Sequence, residues 1–405
     1  MPFVEPANRL VDRGHDVTYL VPAGYHEQLA GERFRLGLYP LDMSSKAMHA
    51  DPEHERLLRH PTLNGLRLPR YWMRKAFVAD PEAVHDELVR ALTGADAAVL
   101  HPTMSALAGA VAEALGIPVV VGHLFPMALP TADWRFPVDF RLPNLGARAN
   151  RAAWQLYVRS LGPLLYDRPI NALRRRLGLP PAHGNVLRAW MNADRIVVLV
   201  SPRYYATETP PELPVTWGGF SHWAGPPGTD RDALDPDVET FLDAGEPPVL
   251  VTLGTSAATG AGPRFAAMAS ALDELGLRSL LLVGNEENLA AVAGREGAFV
   301  FAPLAPVLAR CRVAVISGSL GTMAAALAAG VPVVTVAEFL DQRWHGQRAE
   351  QLGVGLVVRR PRDVPAAVAR IEADSGYRER ARDLAGRLAA EDGPGALADA
   401  VESVL

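Results

Sequence analysis

Residues Ser317-Gly318-Ser319-Leu320-Gly321-Thr322 set three hydroxyls and two glycines between an apolar run, Val313 to Ile316, and a helical pattern, Met323 to Ala329, closed by Gly330 and Pro332. A strand that enters a helix through such a turn offers backbone N–H groups and the positive end of the helix to an anion, and Ser317, Ser319 and Thr322 add donors. Phosphate is the natural ligand. A second hydroxyl-glycine turn, Thr252-Leu253-Gly254-Thr255-Ser256, closes the strand-like run that starts at Val249 and places more donors on the same sheet edge. Beyond Val331 to Val336 comes a polar loop, Glu338 to Gln347, where the carboxylate of Asp341 and the amide of Gln342 could hold sugar hydroxyls. The plain alternative for Asp341 is helix capping.

Other chemistries fit less well. Glu338 lies 20 residues after Gly318, where a ribose-binding acid of a dinucleotide fold would belong, but Gly318-Ser319-Leu320-Gly321 is not G-x-G-x-x-G and sits on the fourth strand of its half instead of the first. Neither turn contains the G-x-S-x-G of a serine hydrolase. His49, His54 and His60 have no i, i+4 ligand spacing and read as solvated helix surface. His101 directly follows the run Ala97 to Leu100 and so stands at a sheet edge. Trp154, Tyr157 and Leu161 recur at helical spacing, which reads as core.

These residues need a scaffold, and the chain supplies it twice. Short β-branched runs alternate with helical patterns, the mark of a parallel α/β sheet. Asp16 to Val21, Ala97 to Leu100, Pro118 to Val121 and Arg195 to Val200 are the strands of the first half, with a helix from Ser105 to Leu115 among them; Val249 to Leu253, Ser279 to Val283, Ala298 to Phe301, Val313 to Ile316 and Val331 to Val336 are those of the second. Pro and Gly crowd the stretch between Thr207 and Pro248, which predicts an amino-terminal domain over 1–214, a linker over 215–247 and a carboxyl-terminal domain over 248–405. Two doubly wound domains would leave a cleft at the carboxyl ends of their strands. The 24 residues Phe125 to Arg148 form a Pro- and aromatic-rich loop in which Phe125, Trp134 and Phe136 suit an apolar ligand.

Composition narrows the classes further. With 405 residues, 49% hydrophobic and 21% charged, the chain is globular, and a net charge of -5 without basic runs argues against nucleic acid as partner. No apolar stretch approaches a membrane span of ~20 residues, the first ten residues do not form a secretory signal, and the single cysteine, Cys311, fits a reducing compartment, with cytoplasm the default.

On these residues the sequence resembles the GT-B glycosyltransferases of family 1, in the bacterial natural-product and sterol-type branch. The likeness rests on Val251-Thr252-Leu253-Gly254-Thr255-Ser256, Ala302-Pro303-Leu304, Ser317 to Thr322 with Ala328-Ala329-Gly330-Val331-Pro332, Arg348 to Gly355, and above all Asp341-Gln342-Arg343-Trp344-His345-Gly346, similar to the family's D-Q-x-F-W-G. Ile170 to Leu179 carries it in the amino half. The resemblance implies a nucleotide-sugar donor, UDP- or TDP-linked, with the base near Ala302 and Pro303, the diphosphate on Thr255 and the Ser317, Gly318, Ser319, Gly321, Thr322 turn, the sugar on Asp341 and Gln342, and Thr252, Gly254 and Ser256 also among the donor-binding residues. It implies a lipophilic small-molecule acceptor on the first domain, inversion by in-line displacement, and no metal or other cofactor.

Two departures follow. The family's H-G-G-x-G-T is Ser317-Gly318-Ser319-Leu320-Gly321-Thr322 here, so a phosphate-binding imidazole is replaced by a hydroxyl that cannot become cationic. Met1 to Val17 match the family's first helix and second strand, so the first strand and its catalytic histidine are expected upstream of Met1; within this sequence His101 is the remaining candidate base. A sheet edge left open by that strand would favour pairing with a second copy as a homodimer. The alternative reading is a catalytically weak GT-B homologue that binds a nucleotide sugar or a partner enzyme; a nucleotide-sugar epimerase on the same fold is disfavoured by the aromatic loop.

Overall fold

The computed structural model describes every residue except 42–46, 48–49, 59–66, 68–70, 72–73, 76–80, 133–144, 161–166, 183–187, 206, 224, 226–232, 255–260 and 338–339. Trp134, Phe136, Thr255, Ser256, Glu338, His49 and His60 therefore lie outside the described residues. The chain divides into two compact units, Met1–Pro227 with Glu391–Leu405, and Gly228–Ala390.

In the first unit, helix α1 (Val4–Asp12) buries Val4, Ala7 and Leu10 on one face and is followed by Gly14. Strands β1 (Thr18–Pro22) and β2 (Arg35–Tyr39) pair in parallel as a separate two-stranded ladder, and Val21 and Phe34 meet Val4 and Ala7 in one apolar cluster. After α2 (Pro52–Leu58) and α3 (Pro81–Leu92) come β3 (Ala98–Leu100), α4 (Ala108–Leu115), β4 (Val119–His123), α5 (Ala147–Ser160), α6 (Asp167–Arg176), β5 (Arg195–Val198) and β6 (Val215–Trp217). The last four strands form a parallel sheet in the order β3-β4-β5-β6. Val84 and Leu88 of α3 and Val111 of α4 pack on Ala98, Leu100, Val119, Val121 and Ile196. Trp154 is core, as its spacing predicts, with its indole N–H donating to the Ala128 carbonyl at 3.1 Å. His54, read as surface, is buried and stacks on Tyr71.

The second unit runs through α7 (Pro236–Asp243), β7 (Val249–Thr252), α8 (Gly262–Asp273), β8 (Ser279–Leu282), α9 (Glu286–Ala290), β9 (Ala298–Phe299), α10 (Leu304–Leu308), β10 (Val313–Ile316), α11 (Leu320–Ala328), β11 (Val333–Val336), α12 (Leu340–Gln351), β12 (Gly355–Val358), α13 (Val364–Ala373) and α14 (Gly376–Leu388). Its six strands are parallel in the order β12-β11-β10-β7-β8-β9. Every residue of β7, β8, β10 and β11 is buried, as expected of a sheet covered on both faces. The chain works outward from β7 through β8 to β9, then crosses back to β10 on the other side of β7. That reversal is the topological switch point of a doubly wound fold, beside which ligands bind at the carboxyl ends of the strands.

The boundaries differ from those predicted. The expected linker contains β6, whose short Val215-Thr216-Trp217 is stitched onto β5 by main-chain hydrogen bonds, and α7, whose first turn is capped by the Asp235 carboxylate. The last helix, α15 (Gly393–Glu402), belongs to the first unit instead of the second. Its buried Leu397, Ala398 and Val401 seat it on the sheet, and Gly122 of β4 leaves the room: a Cβ there would stand 2.2 Å from the Phe3 ring and 3.2 Å from the Leu397 side chain. Arg13 adds ion pairs to Asp399 and Glu402, both at 2.7 Å, but these are exposed and contribute little beside the apolar contact. Leu397→Ala is expected to cost about 2–5 kcal/mol. Hydrogen exchange checks it: amides of β4–β6 lose protection while those of β7–β12 keep theirs.

Candidate functional site

The switch point places two predicted turns side by side, since Thr252 at the end of β7 is in register with Ile316 at the end of β10. Gly254 takes φ +72°, and a Cβ on it would stand 3.3 Å from Ser319 Oγ and 4.0 Å from Ser317 Oγ. The Ser317 hydroxyl accepts the Ser319 N–H at 3.4 Å, while Ser319 Oγ lies 2.9 Å from Thr322 Oγ1 and the Thr322 hydroxyl reaches the Ser319 carbonyl at 3.1 Å. Ser319 is the residue before the first turn of α11 and makes no side-chain capping bond. The first-turn amides of α11 therefore remain for a ligand. Gly321 adds nothing that would block approach, because a Cβ there would meet no atom within 4 Å.

The start of α12 is pressed against this turn. Gly318 has φ +88°, and a Cβ on it would fall 2.5 Å from the Gln342 carbonyl oxygen and 2.6 Å from the Thr335 methyl. Only glycine allows that approach. The same contact brings Asp341 and Gln342 beside the Ser317–Thr322 turn. Gln342 is buried, and burial raises the Asp341 carboxyl above its usual range despite backbone hydrogen bonds that work the other way. One turn on, His345 is fully buried and burial holds its imidazole at about 3. At the expected base end, Ala302 is buried, Pro303 precedes α10, and Phe301 beside them is 76% exposed. The sequence reading passed over Phe301 by assigning it to the strand; its position directly before Ala302-Pro303 was the available signal.

In the first unit, β3 and β4 end on two histidines. The His101 Nδ1 accepts the Thr103 N–H at 3.3 Å and lies 2.7 Å from Thr103 Oγ1, and burial holds the ring at about 4. It is neutral at pH 7, the form a general base needs, although its low proton affinity makes it a weak one. His123 was not singled out from the sequence. It is fully buried, its Nδ1 accepts the Phe125 N–H at 3.2 Å, and burial together with the neighbouring His101 holds it at about 3. The predicted Phe125 packs edge-on to His101 at 5.9 Å between centroids, and Trp190, also missed, lies 5.9 Å from both Phe125 and His123. Phe3 adds an edge contact to His101 at 5.6 Å. Nothing in the local pattern around Trp190 announces these partners, because they come from three separate strand ends and loops.

Residues 281–404 match the C-terminal domain of the erythromycin biosynthesis protein CIII-like family. Over 383 residues, 90% of this chain and 78% of its relative, the sequence is 30% identical to the PGL/p-HBAD biosynthesis rhamnosyltransferase of Mycobacterium bovis (strain BCG / Pasteur 1173P2). The chain belongs to the family 1 glycosyltransferases of the bacterial natural-product branch. It is also 29% identical to the O-mycaminosyltylonolide 6-deoxyallosyltransferase of Streptomyces fradiae over 419 residues, 97% of this chain and 91% of that one. In fold it is similar to the Streptomyces sp. SF2575 glycosyltransferase SsfS6 complexed with thymidine diphosphate, with a TM-score of 0.62, 19% identity and coverage of 100% of this chain and 96% of that one. The α/β fold is thus GT-B, and the enzyme is a glycosyltransferase that draws on a nucleotide-diphosphate sugar. No helix among the described residues is long and apolar enough to cross a membrane.

Two predictions test this geometry. Gly318→Ala combines a left-handed backbone with a clash against main chain, and is expected to cost on the order of 2–5 kcal/mol, read as a lowered urea midpoint. His101, His123 and His345 all have folded values below the ordinary 6.5. Between about pH 6.5 and 4 the unfolded chain then binds protons that the folded chain does not, so these groups make stability fall as pH falls through that window. Urea titrations between pH 7 and 5 check the slope, which His345→Gln should reduce by about one proton.

Proposed function

We propose that this glycosyltransferase transfers a sugar, with inversion, from a thymidine- or uridine-diphosphate donor bound by the second unit to a hydroxyl of a lipophilic natural product bound by the first. The observation that carries the donor reading is the uncapped α11 amino terminus at the switch point between β7 and β10, with Ser317, Ser319, Thr322 and Gly254 around it. In this reading the diphosphate lies on those amides and hydroxyls, the base against Phe301, Ala302 and Pro303, and the sugar on Asp341 and Gln342. The relative bound to thymidine diphosphate and the rhamnosyl- and deoxyallosyltransferase relatives favour a TDP-linked deoxysugar.

The acceptor oxygen attacks the anomeric carbon from the face opposite the diphosphate. As the new C–O bond forms, the bond to the leaving oxygen breaks, the acceptor proton passes to a base, and the departing electron pair adds charge to the diphosphate. Backbone amides and hydroxyls already aimed at that position stabilise it without reorganisation and without a metal or other cofactor in this reading. Ser317 supplies a neutral donor at a place where the family uses an imidazole, so donor binding depends more heavily on the amides. His101 is the described group assigned to the proton, which it takes at Nε2 in the tautomer whose Nδ1–H donates to the Thr103 hydroxyl at 2.7 Å in place of accepting the longer Thr103 N–H contact.

Thermal shift checks the donor half. TDP at 100 times its Kd should stabilise the protein by about 2.7 kcal/mol, and Ser319→Asp or Thr322→Asp should abolish the shift by setting a carboxylate against the diphosphate. A response to NAD alone would overturn the reading; a response to UDP over TDP would change only the nucleotide. His101→Ala should lower kcat by roughly 10²-fold or more with the TDP shift intact. Full turnover in that variant would remove His101 from the mechanism.

A further inference from the structure

The ring cluster at the carboxyl ends of β3 and β4 holds two buried N–H groups that the fold leaves unmet. Among the described residues, neither His123 Nε2 nor Trp190 Nε1 has a hydrogen-bond partner. An unmet buried donor has lost its water without gaining a partner, and native structures retain few of them. Their polarity is fixed. A main-chain N–H can only donate, so the Phe125 amide makes His123 Nδ1 the lone-pair nitrogen, and a neutral ring then carries its proton on Nε2. The indole nitrogen is a donor in any state. Both groups therefore call for an oxygen with free lone pairs.

The surroundings are apolar and flat. His123 is wholly buried, whereas Phe125, Trp190 and His101, the rings around it, are each partly exposed. Phe125 and Trp190 lie at 32° to one another with centroids 5.9 Å apart, and His123 meets Trp190 edge-on at 66°. A hydrocarbon placed among these rings would leave both donors unmet, and a cation would be repelled by them. A flat ring carrying an acceptor oxygen meets both demands, and a site built to hydrogen-bond an oxygen discriminates strongly against analogues that lack it.

We propose that His123 and Trp190 determine acceptor specificity in this enzyme, and that the acceptor is a planar aromatic natural product whose carbonyl or phenolic oxygen receives hydrogen bonds from His123 Nε2 and Trp190 Nε1 while its ring lies against Phe125. The inference rests on the reading that the acceptor binds the first unit. It assigns neither residue to proton transfer: with its Nε2 protonated, His123 is a donor to the acceptor and not its base.

Alizarin, a planar dihydroxyanthraquinone, is a suitable probe, titrated into the full chain and followed by its visible absorbance, with TDP binding measured in parallel by thermal shift. Trp190→Phe keeps the ring and removes the donor, and should weaken alizarin binding about two- to tenfold, the range for one net hydrogen bond. His123→Leu should weaken it at least as much, and His123→Gln, which restores an N–H near Nε2, should recover part of the loss. The indole N–H resonance that disappears in Trp190→Phe should move downfield when alizarin is added to the wild type. Trp190 is partly exposed, so its variant decides the matter even if His123→Leu does not fold. Equal alizarin affinity in wild type and both donor-less variants, or no alizarin binding to the wild type while TDP still binds, would overturn the inference and leave the transferase reading standing. Loss of TDP binding in the wild type would instead fail the donor reading itself.

Discussion

The close approach of Gly318 to the Gln342 carbonyl is the contact on which the candidate site of the second unit depends. Strand β10 must turn sharply to release α11 with its first amides uncovered, and α12 must begin where it can present Asp341 and Gln342 beside them. Both requirements meet within 2.5 Å of one absent Cβ. A left-handed glycine satisfies them together; any side chain would displace either the Ser317–Thr322 turn or the helix that carries Asp341 and Gln342. Thr335 in the middle of β11 closes the same space from below, so the sheet itself sets how near the two segments come.

Around that contact the polar groups the protein presents are neutral. The turn presents hydroxyls and amides, and the nearby His345 is held neutral by burial. The first unit follows the same logic at its own strand ends, where His101 and His123 are neutral rings among aromatic neighbours. Preorganised dipoles of this kind act more strongly on a charge in a low-dielectric surrounding than in water, because no solvent must reorganise around it.

The sequence alone determined the alternation of strand and helix, the two hydroxyl-glycine turns, and the D-Q motif after the fifth strand of the second unit. Each of these is written in adjacent residues: β-branched runs, glycines at positive φ, and polar residues entering a helix. Phe125 and His101 were legible for the same reason, as a ring and a titratable group at the end of an apolar run. The placement of Ser317 and Gln342 at the carboxyl edge of the second sheet could be read from motif and order alone, since a doubly wound fold sends all its strand ends to one edge.

Tertiary structure decided what depends on partners distant in the chain. Strands as short as Val215 to Trp217 exist because a neighbour hydrogen-bonds to them, so no local propensity reveals them. Helix α15 joins the first unit because Gly122, more than 270 residues earlier, leaves a space beside Phe3 that Leu397 fills. His54 is buried by Tyr71, and His123 and Trp190 acquire their roles only when β4 and a later loop bring their rings together. Burial and the pairing of polar atoms are properties of the packed whole, and the one-dimensional pattern carries them only where the partners are near neighbours in sequence.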